Sequence, residues 1–385
     1  MRTTADTRSH PTVAIIGAGV IGLAIAWRLA QRGVTVSVFD KGEAGHGATH
    51  AAAGMLAACC EAEPGEDRLV ALNRASQIMW PEFVRDLEAA SGVDVGLRTE
   101  GTIVLALNPD DQARLKHLLA FQTGLGLPLE WLNAAQVRRR EPYLATSITG
   151  ALWSPEDHQV DNRSVASALI AACSKAGVTI REHCAVERID SVQGRVTGLR
   201  AGGEKIEADV VVLAAGAWSR GIDGLPAHAR PPVRPVKGQM FSVRMDPRAP
   251  LLTHVVWAPG AYLVPRHDGR LLVGATVEEK GFDTSLTAGG QLALLDAAWR
   301  TVPGIEELPI DEMWVGFRPG SRDDAPIIGH GGLDGLVCAT GHYRNGILLT
   351  PITAQAVTSL ILDGATDAVV QPFGLDRFAA AVAAE

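Results

Sequence analysis

Residues 13–40, VAIIGAGVIGLAIAWRLAQRGVTVSVFD, constrain the fold of this chain more than any other stretch. An apolar run (Val13, Ala14, Ile15, Ile16) meets Gly17-Ala18-Gly19-Val20-Ile21-Gly22, and the spacing predicts a helix from there to about Gln31. Arg32-Gly33 ends that helix, and Val34 opens an alternating strand that closes on Asp40. Strand, glycine turn, helix, strand and terminal acid make a dinucleotide-binding βαβ unit. Gly17 permits the tight turn, Gly19 lets the backbone approach a pyrophosphate, and Gly22 lets helix and strand pack closely. The helix start at Val20 and Ile21 offers free N–H groups and a partial positive charge. Asp40 stands where its carboxylate accepts hydrogen bonds from ribose hydroxyls. The motif alone does not separate FAD from NAD.

The next stretch, from Lys41 through Thr49, His50, Ala51, Ala52, Ala53 and Gly54 to Met55, is glycine-rich and small. It reads either as backbone pressed against a ligand or as a flexible surface loop. Apolar spacing then predicts a helix over 70–91, kinked or divided at Pro81. A strand over 101–107, a helix over 110–122 and a second helix from Ala134 follow, ending at Glu141-Pro142. Further on, a helix over 165–175 leads to strands over 178–181, 185–189 (with Val186) and 195–200. The run 208–218 is continuously apolar and ends in Ala215, Gly216 and Trp218, as a strand buried on both faces of a parallel sheet does. Strands over 239–244, 261–265 and 270–275, parted by Pro, Gly and Asp, suggest an antiparallel sheet, with a helix over 288–298 after it. A last strand enters the turn Gly341-His342-Tyr343-Arg344-Asn345-Gly346-Ile347-Leu348 ahead of a helix over 351–362, a second glycine turn at a helix start.

The expected fold class is therefore α/β, a Rossmann-type nucleotide-binding domain with a second β-rich domain of antiparallel sheet plus helices. Residues 1–91, 151–220 and 318–385 are assigned to the first domain, and 92–150 and 221–317 to the substrate-binding one. The 385 residues suffice for two domains. A net charge of −8 without like-charge blocks argues against nucleic-acid and anionic-membrane partners. Five cysteines without CxxC or metal-ligand spacing fit reduced thiols and no metal site. The polar leader MRTTADTRSHPT lacks the apolar segment of a signal peptide, and no run is long enough to span a bilayer, so the cytoplasm is expected.

Residues 13–40, AAAGML (51–56), 214–218, Pro235-Val236-Lys237-Gly238, Tyr262-Leu263-Val264-Pro265-Arg266, 269–276, Gly316-Phe317-Arg318-Pro319-Gly320 and 341–348 together resemble the D-amino-acid oxidase superfamily of flavoproteins. Within it they are most similar to the glycine oxidase branch of bacterial thiamine biosynthesis. AAAGML and GHYRNGILL discriminate best, since other relatives share only the first glycine motif. The resemblance implies FAD, held along the Gly17–Gly22 turn, Asp40, Lys41, residues 49–55, Val186, Ala215, Gly216, Trp218 and residues 343–348. No second GxGxxG is present for a nicotinamide. Relatives with covalent flavin carry a cysteine after the arginine segment; Arg318-Pro319-Gly320-Ser321-Arg322 has none, which implies a non-covalent cofactor.

By the same resemblance Arg318 binds a substrate carboxylate and Tyr262 adds a hydroxyl to it, roles that suit a planar bidentate donor and a phenol. Gly54, Met55, Gly260 and Arg344 are expected to line the substrate pocket. The family places a histidine where this chain has Gly260, which bears on substrate size. His342 reads as structural, and no general base is assigned. The implied activity is FAD-dependent oxidation of glycine, sarcosine and small D-amino acids with oxygen as acceptor, giving hydrogen peroxide, in a homotetramer. The alternatives are a dehydrogenase of D-proline-like or other secondary amines, or a hydrogen cyanide synthase-like subunit, using another acceptor. A non-catalytic nucleotide-binding protein is a third class.

Overall fold

The computed structural model describes residues 10–379; residues 1–9 of the polar leader and the chain end from 380 lie outside the described residues. The chain opens with β1 (Val13–Ile16), α1 (Val20–Gln31) and β2 (Val36–Phe39), then a helical turn α2 (Ala48–Ala51), a short β3 (Met55–Leu56) and a long α3 (Asp67–Ser91). Next come β4 (Thr102–Ala106), α4 (Pro109–Gly124), β5 (Glu130–Asn133), α5 (Ala134–Arg140), β6 (Gly150–Ser154), β7 (His158–Gln159), α6 (Asn162–Lys175) and β8 (Thr179–Arg181). The strands β9 (Val186–Val192), β10 (Arg195–Ala201) and β11 (Glu204–Glu207) form an antiparallel meander before β12 (Val210–Leu213). The remainder is β13 (Arg234–Arg244), β14 (Val255–Ala258), β15 (Ala261–Pro265), β16 (Arg270–Gly274), α7 (Ala288–Thr301), β17 (Ile310–Gly320), β18 (Ile327–His330), β19 (Leu336–Thr340) and α8 (Thr350–Asp363).

Two sheets organise these elements. The first has the order β18-β19-β12-β1-β2-β8, parallel throughout except for β18. Its central strand β1 is buried along its whole length, and α1 buries all but a few residues against α6 and α8, which explains their unbroken apolar runs. From β1 the chain leaves toward β2 on one side and β12 on the other, so a crevice opens at the carboxyl ends of these strands. The second sheet has the order β17-β13-β16-β15-β14-β4-β6-β5 and is antiparallel except where β14 runs beside β4. A separate apolar core seals it against α7.

Several expectations need correction. Helix α3 starts at Asp67 and runs through Pro81 undivided, because proline removes one backbone donor and the packed face on either side (Gln77, Trp80, Phe83, Val84) continues in phase. The small-residue loop contains the turn α2. The apolar strand over 208–218 stops at Leu213, and Gly216–Gly221 winds into a 3-10 helix. Strands β6, β14, β17 and β18 were not anticipated. Of these, β6 and β17 reach Ser154 and Gly320 within the larger sheet, and so cross the boundaries at 150 and 317 expected from sequence.

Candidate active site

The glycine turn is built by close approach. Gly17 has φ +107°, and a Cβ there would lie 2.4 Å from the Ala214 carbonyl oxygen; one on Gly22 would lie 1.9 Å from that of Gly17. The helix start has no side-chain cap of its own at Gly19. Thr49 supplies one from a distance, its Oγ1 accepting the Val20 N–H at 3.0 Å. Asp40 fixes the turn, accepting from the Ala18 N–H (2.8 Å) and the Gly42 N–H (2.9 Å), and each carboxylate oxygen retains a second lone pair.

The stretch after Asp40 is held from behind through its carbonyls. Asn162 Nδ2 donates to the Thr49 oxygen (2.7 Å), Trp314 Nε1 to that of Ala51 (3.1 Å) and Arg266 Nη2 to that of Ala53 (2.7 Å). Arg266 also donates to Val160, Gln159 and Asn162, and burial lowers its pKa to about 10, which leaves it charged at neutral pH. At Gly54 a Cβ would lie 2.0 Å from the Val160 oxygen.

These elements enclose a cavity of about 870 Å³ in the crevice between the two sheets. Among the expected cofactor residues, Gly17, Gly19, Val20, Ile21, Asp40, Lys41, Thr49, Ala51, Ala52, Ala53, Gly54, Met55, Val186, Ala215, Gly216, Trp218 and the turn from Tyr343 to Leu348 line it. Gly22 is absent from the wall and acts through packing. His50 also stays out of it: its ring stacks on His46 at 5.0 Å, and burial lowers its pKa. Lys41 Nζ sits 3.5 Å over the Trp218 ring, which stacks in turn on Phe282. His342 is buried, pairs with Thr353 through Nε2, and is pushed down to about 3 by burial, so it stays neutral. Among the described residues no His, Cys, Asp or Glu cluster fits a metal, and no helix is long and apolar enough to cross a membrane. All five cysteines are free and buried.

At the far end the larger sheet presents Arg318 from β17 and Tyr262 from β15. Arg318 Nη1 donates to the Thr276 carbonyl at 3.1 Å, and among the described residues no carboxylate pairs with it. Its guanidinium lies over Gly238 of β13, where a Cβ would be 2.6 Å from Nη1. The Tyr262 ring crosses Gly274 of β16 in the same way, with a Cβ position 2.6 Å from the ring. Tyr262 donates its hydroxyl to Met240 Sδ at 3.7 Å; burial raises its pKa against the pull of Arg318, which keeps the proton on oxygen. Gly260 occupies the tip of the β14–β15 hairpin with φ +89°, after Pro259, as a type II turn requires.

Glu61, Trp257 and Met240 also line the cavity and were not singled out from sequence. Trp257 pairs with Tyr262 across the hairpin, so the Pro259-Gly260 turn was the available signal for it. Glu61 follows two cysteines without a motif. It ion-pairs with Arg344, Nε to Oε2 at 2.7 Å, and Arg344 also meets Glu66 at 3.2 Å.

The cavity suits a flavin dinucleotide on its own terms. A glycine turn at a helix start suits a pyrophosphate, although Thr49 takes the Val20 N–H expected to be free; Asp40 keeps lone pairs that suit a ribose, and the walls toward Arg318 and Tyr262 are mostly apolar. Among the described residues no cysteine lines it.

Comparison with known proteins agrees. The family described as FAD dependent oxidoreductase (DAO) matches residues 12–360. Glycine oxidase of Geobacillus kaustophilus is 39% identical, covering 97% of this chain and 98% of its own. Its crystal structure superposes with a TM-score of 0.88, covering 96% of this chain and 99% of that one. The bifunctional protein ThiO/ThiG of Synechocystis sp. is 39% identical over 98% of this chain, and this chain spans about half, 55%, of that relative. The chain belongs to the DAO family of FAD dependent oxidoreductases.

Proposed function

We propose that this chain oxidises glycine, and other small amines such as sarcosine and small D-amino acids, to the imine, which hydrolyses to the keto acid plus ammonia or amine. The observation that carries the reading is Arg318: a half-buried guanidinium fork, free of any carboxylate among the described residues, beside the Tyr262 hydroxyl at one end of the nucleotide cavity. Such a fork is complementary to a carboxylate. FAD, held in this cavity, would supply the hydride acceptor for the substrate Cα–H, with oxygen as the final acceptor giving hydrogen peroxide.

The chain's own residues orient and exclude water. Arg318 binds the carboxylate through two parallel hydrogen bonds, and Tyr262, still protonated, turns its hydroxyl from Met240 to donate a third. Fixing one end of so small a molecule sets the direction of its Cα–H bond, which is most of what positioning contributes. Met240, Met55 and Trp257 give the reacting end apolar walls. Gly17, Gly19, Asp40, Lys41, Val186 and residues 51–55 and 343–348 line the cavity and would hold the cofactor. The glycine oxidase names of the relatives support the substrate class.

The bare tip at Gly260 favours a second reading, in which bulkier or cyclic secondary amines are preferred. Anaerobic titration with glycine, sarcosine, D-alanine and D-proline tests both, with the flavin's visible absorption as readout. Bleaching by glycine is expected; bleaching by D-proline alone would move the assignment to the second reading. The proposal extends to a cytoplasmic homotetramer with a nucleotide-binding and a substrate-binding domain, and sedimentation of the purified protein checks that assembly.

A further inference from the structure

Three charged side chains define the substrate end of the cavity, and they are not balanced alike. Arg318 donates to a carbonyl and lies beside the Tyr262 hydroxyl, and the Glu61 carboxylate is within its field without forming an ion pair with it. Arg344, by contrast, meets two carboxylates, Glu61 and Glu66, so that group carries a surplus negative charge once Glu61 is ionised. One end of the pocket is therefore positive and the other negative, which complements a zwitterion rather than a simple anion. Glu61 keeps 9% of its side chain exposed. Its contact with Arg344 Nε is a charge–charge approach without an aligned hydrogen bond, and Oε2 has no hydrogen-bond partner.

We propose that Glu61 receives the ammonium group of the incoming amino acid and takes one proton from it. This rests on the amine-oxidase reading above. An amine releases hydride from its Cα only when its nitrogen holds a free electron pair. In the step, one N–H bond of the ammonium breaks, its electron pair stays on nitrogen, and an O–H bond forms on Glu61. No oxidant is consumed. The groups facing Glu61 are Arg344, Asp157, Glu66 and Arg318, with Tyr262 and Cys60 also within its field. Burial raises its carboxyl to about 7 against the pull of Arg344, so it is ionised in the upper neutral range yet basic enough to accept a proton.

The test is the pH profile of kcat/KM for glycine in the FAD-loaded enzyme and in Glu61→Gln, with binding of acetate, a carboxylate without an amine, measured beside it. In the wild type kcat/KM should fall with one proton below about pH 7. In Glu61→Gln it should drop by about 100-fold at pH 8 and rise with pH along the amine's own titration. Acetate affinity should stay within about threefold, since Arg318 and Tyr262 are intact. An unchanged profile, or acetate weakened as much as glycine, would overturn the assignment and leave Glu61 as a structural partner of Arg344. Should Glu61→Gln fail to hold FAD, Glu61→Asp decides: a retained acid limb with lower kcat supports the proposal, and loss of the limb with a normal kcat refutes it. A wild type that no amine reduces would instead remove the amine-oxidase reading itself.

Discussion

At Arg318 the charge and the shape of the side chain make separable contributions. Arg318→Lys keeps the positive charge but loses the planar fork, so KM for glycine should rise about 10- to 100-fold while the flavin spectrum stays unchanged. Gly238→Ala reaches the same residue without touching its charge. Its Cβ would sit 2.6 Å from Nη1, and with backbone fixed on both sides the guanidinium must move. A rise in KM of about tenfold, with FAD still bound, is the expected outcome in steady-state kinetics. An unaltered KM in both variants would take the carboxylate away from Arg318. The importance of Gly238 and Gly274 was not legible in the sequence, where each is one glycine among 41. Only the strand register reveals that the arginine and tyrosine lie across them.

Among the elements, the nucleotide-binding half was legible because its signals are local. The turn, α1 and the closing acid of β2 all fall within one short stretch, and periodicity alone places them. The larger sheet was legible in its antiparallel hairpins but not in β17 or β6, whose partners lie far away in the chain. Glu61 escaped for a similar reason: nothing near Cys59-Cys60-Glu61 tells that Arg344 will arrive beside it. The hold on residues 49–55 is equally non-local, and it yields a prediction of its own. Arg266→Met removes a buried charge together with the donors for Ala53, Val160, Gln159 and Asn162. Four acceptors would be left in a dry site, costing about 3 kcal/mol or more by the usual penalty for unsatisfied groups. The FAD dissociation constant should rise with the lost stability, which ultrafiltration and a denaturant titration read in parallel. Loss of stability with unchanged FAD affinity would show that the loop does not depend on Arg266.

Over the whole molecule, buried titratable groups of opposite sense set how stability depends on pH. His342, lowered from 6.5 to about 3 by burial, is neutral in the fold while the unfolded chain takes up a proton. Its linkage therefore lowers stability as pH falls through that interval, and His50 and His158, also lowered, act in the same direction. Glu61 opposes them. Its carboxyl is raised from 4.5 to about 7, so the fold holds a proton that the unfolded chain has released, and stability is lost as pH rises through that range. Each such proton is worth about 1.4 kcal/mol per pH unit. Glu61→Gln should therefore gain on the wild type as pH rises from 5 to 7, by up to about 2 to 3 kcal/mol, on top of a constant offset from the lost pair with Arg344. Urea midpoints of both proteins at pH 5, 6 and 7 read this directly, without any substrate. A difference that stays flat over that range would mean that the buried carboxylate is already ionised at pH 5, and Glu61 would then be too weak a base to take a proton from an ammonium group near neutrality.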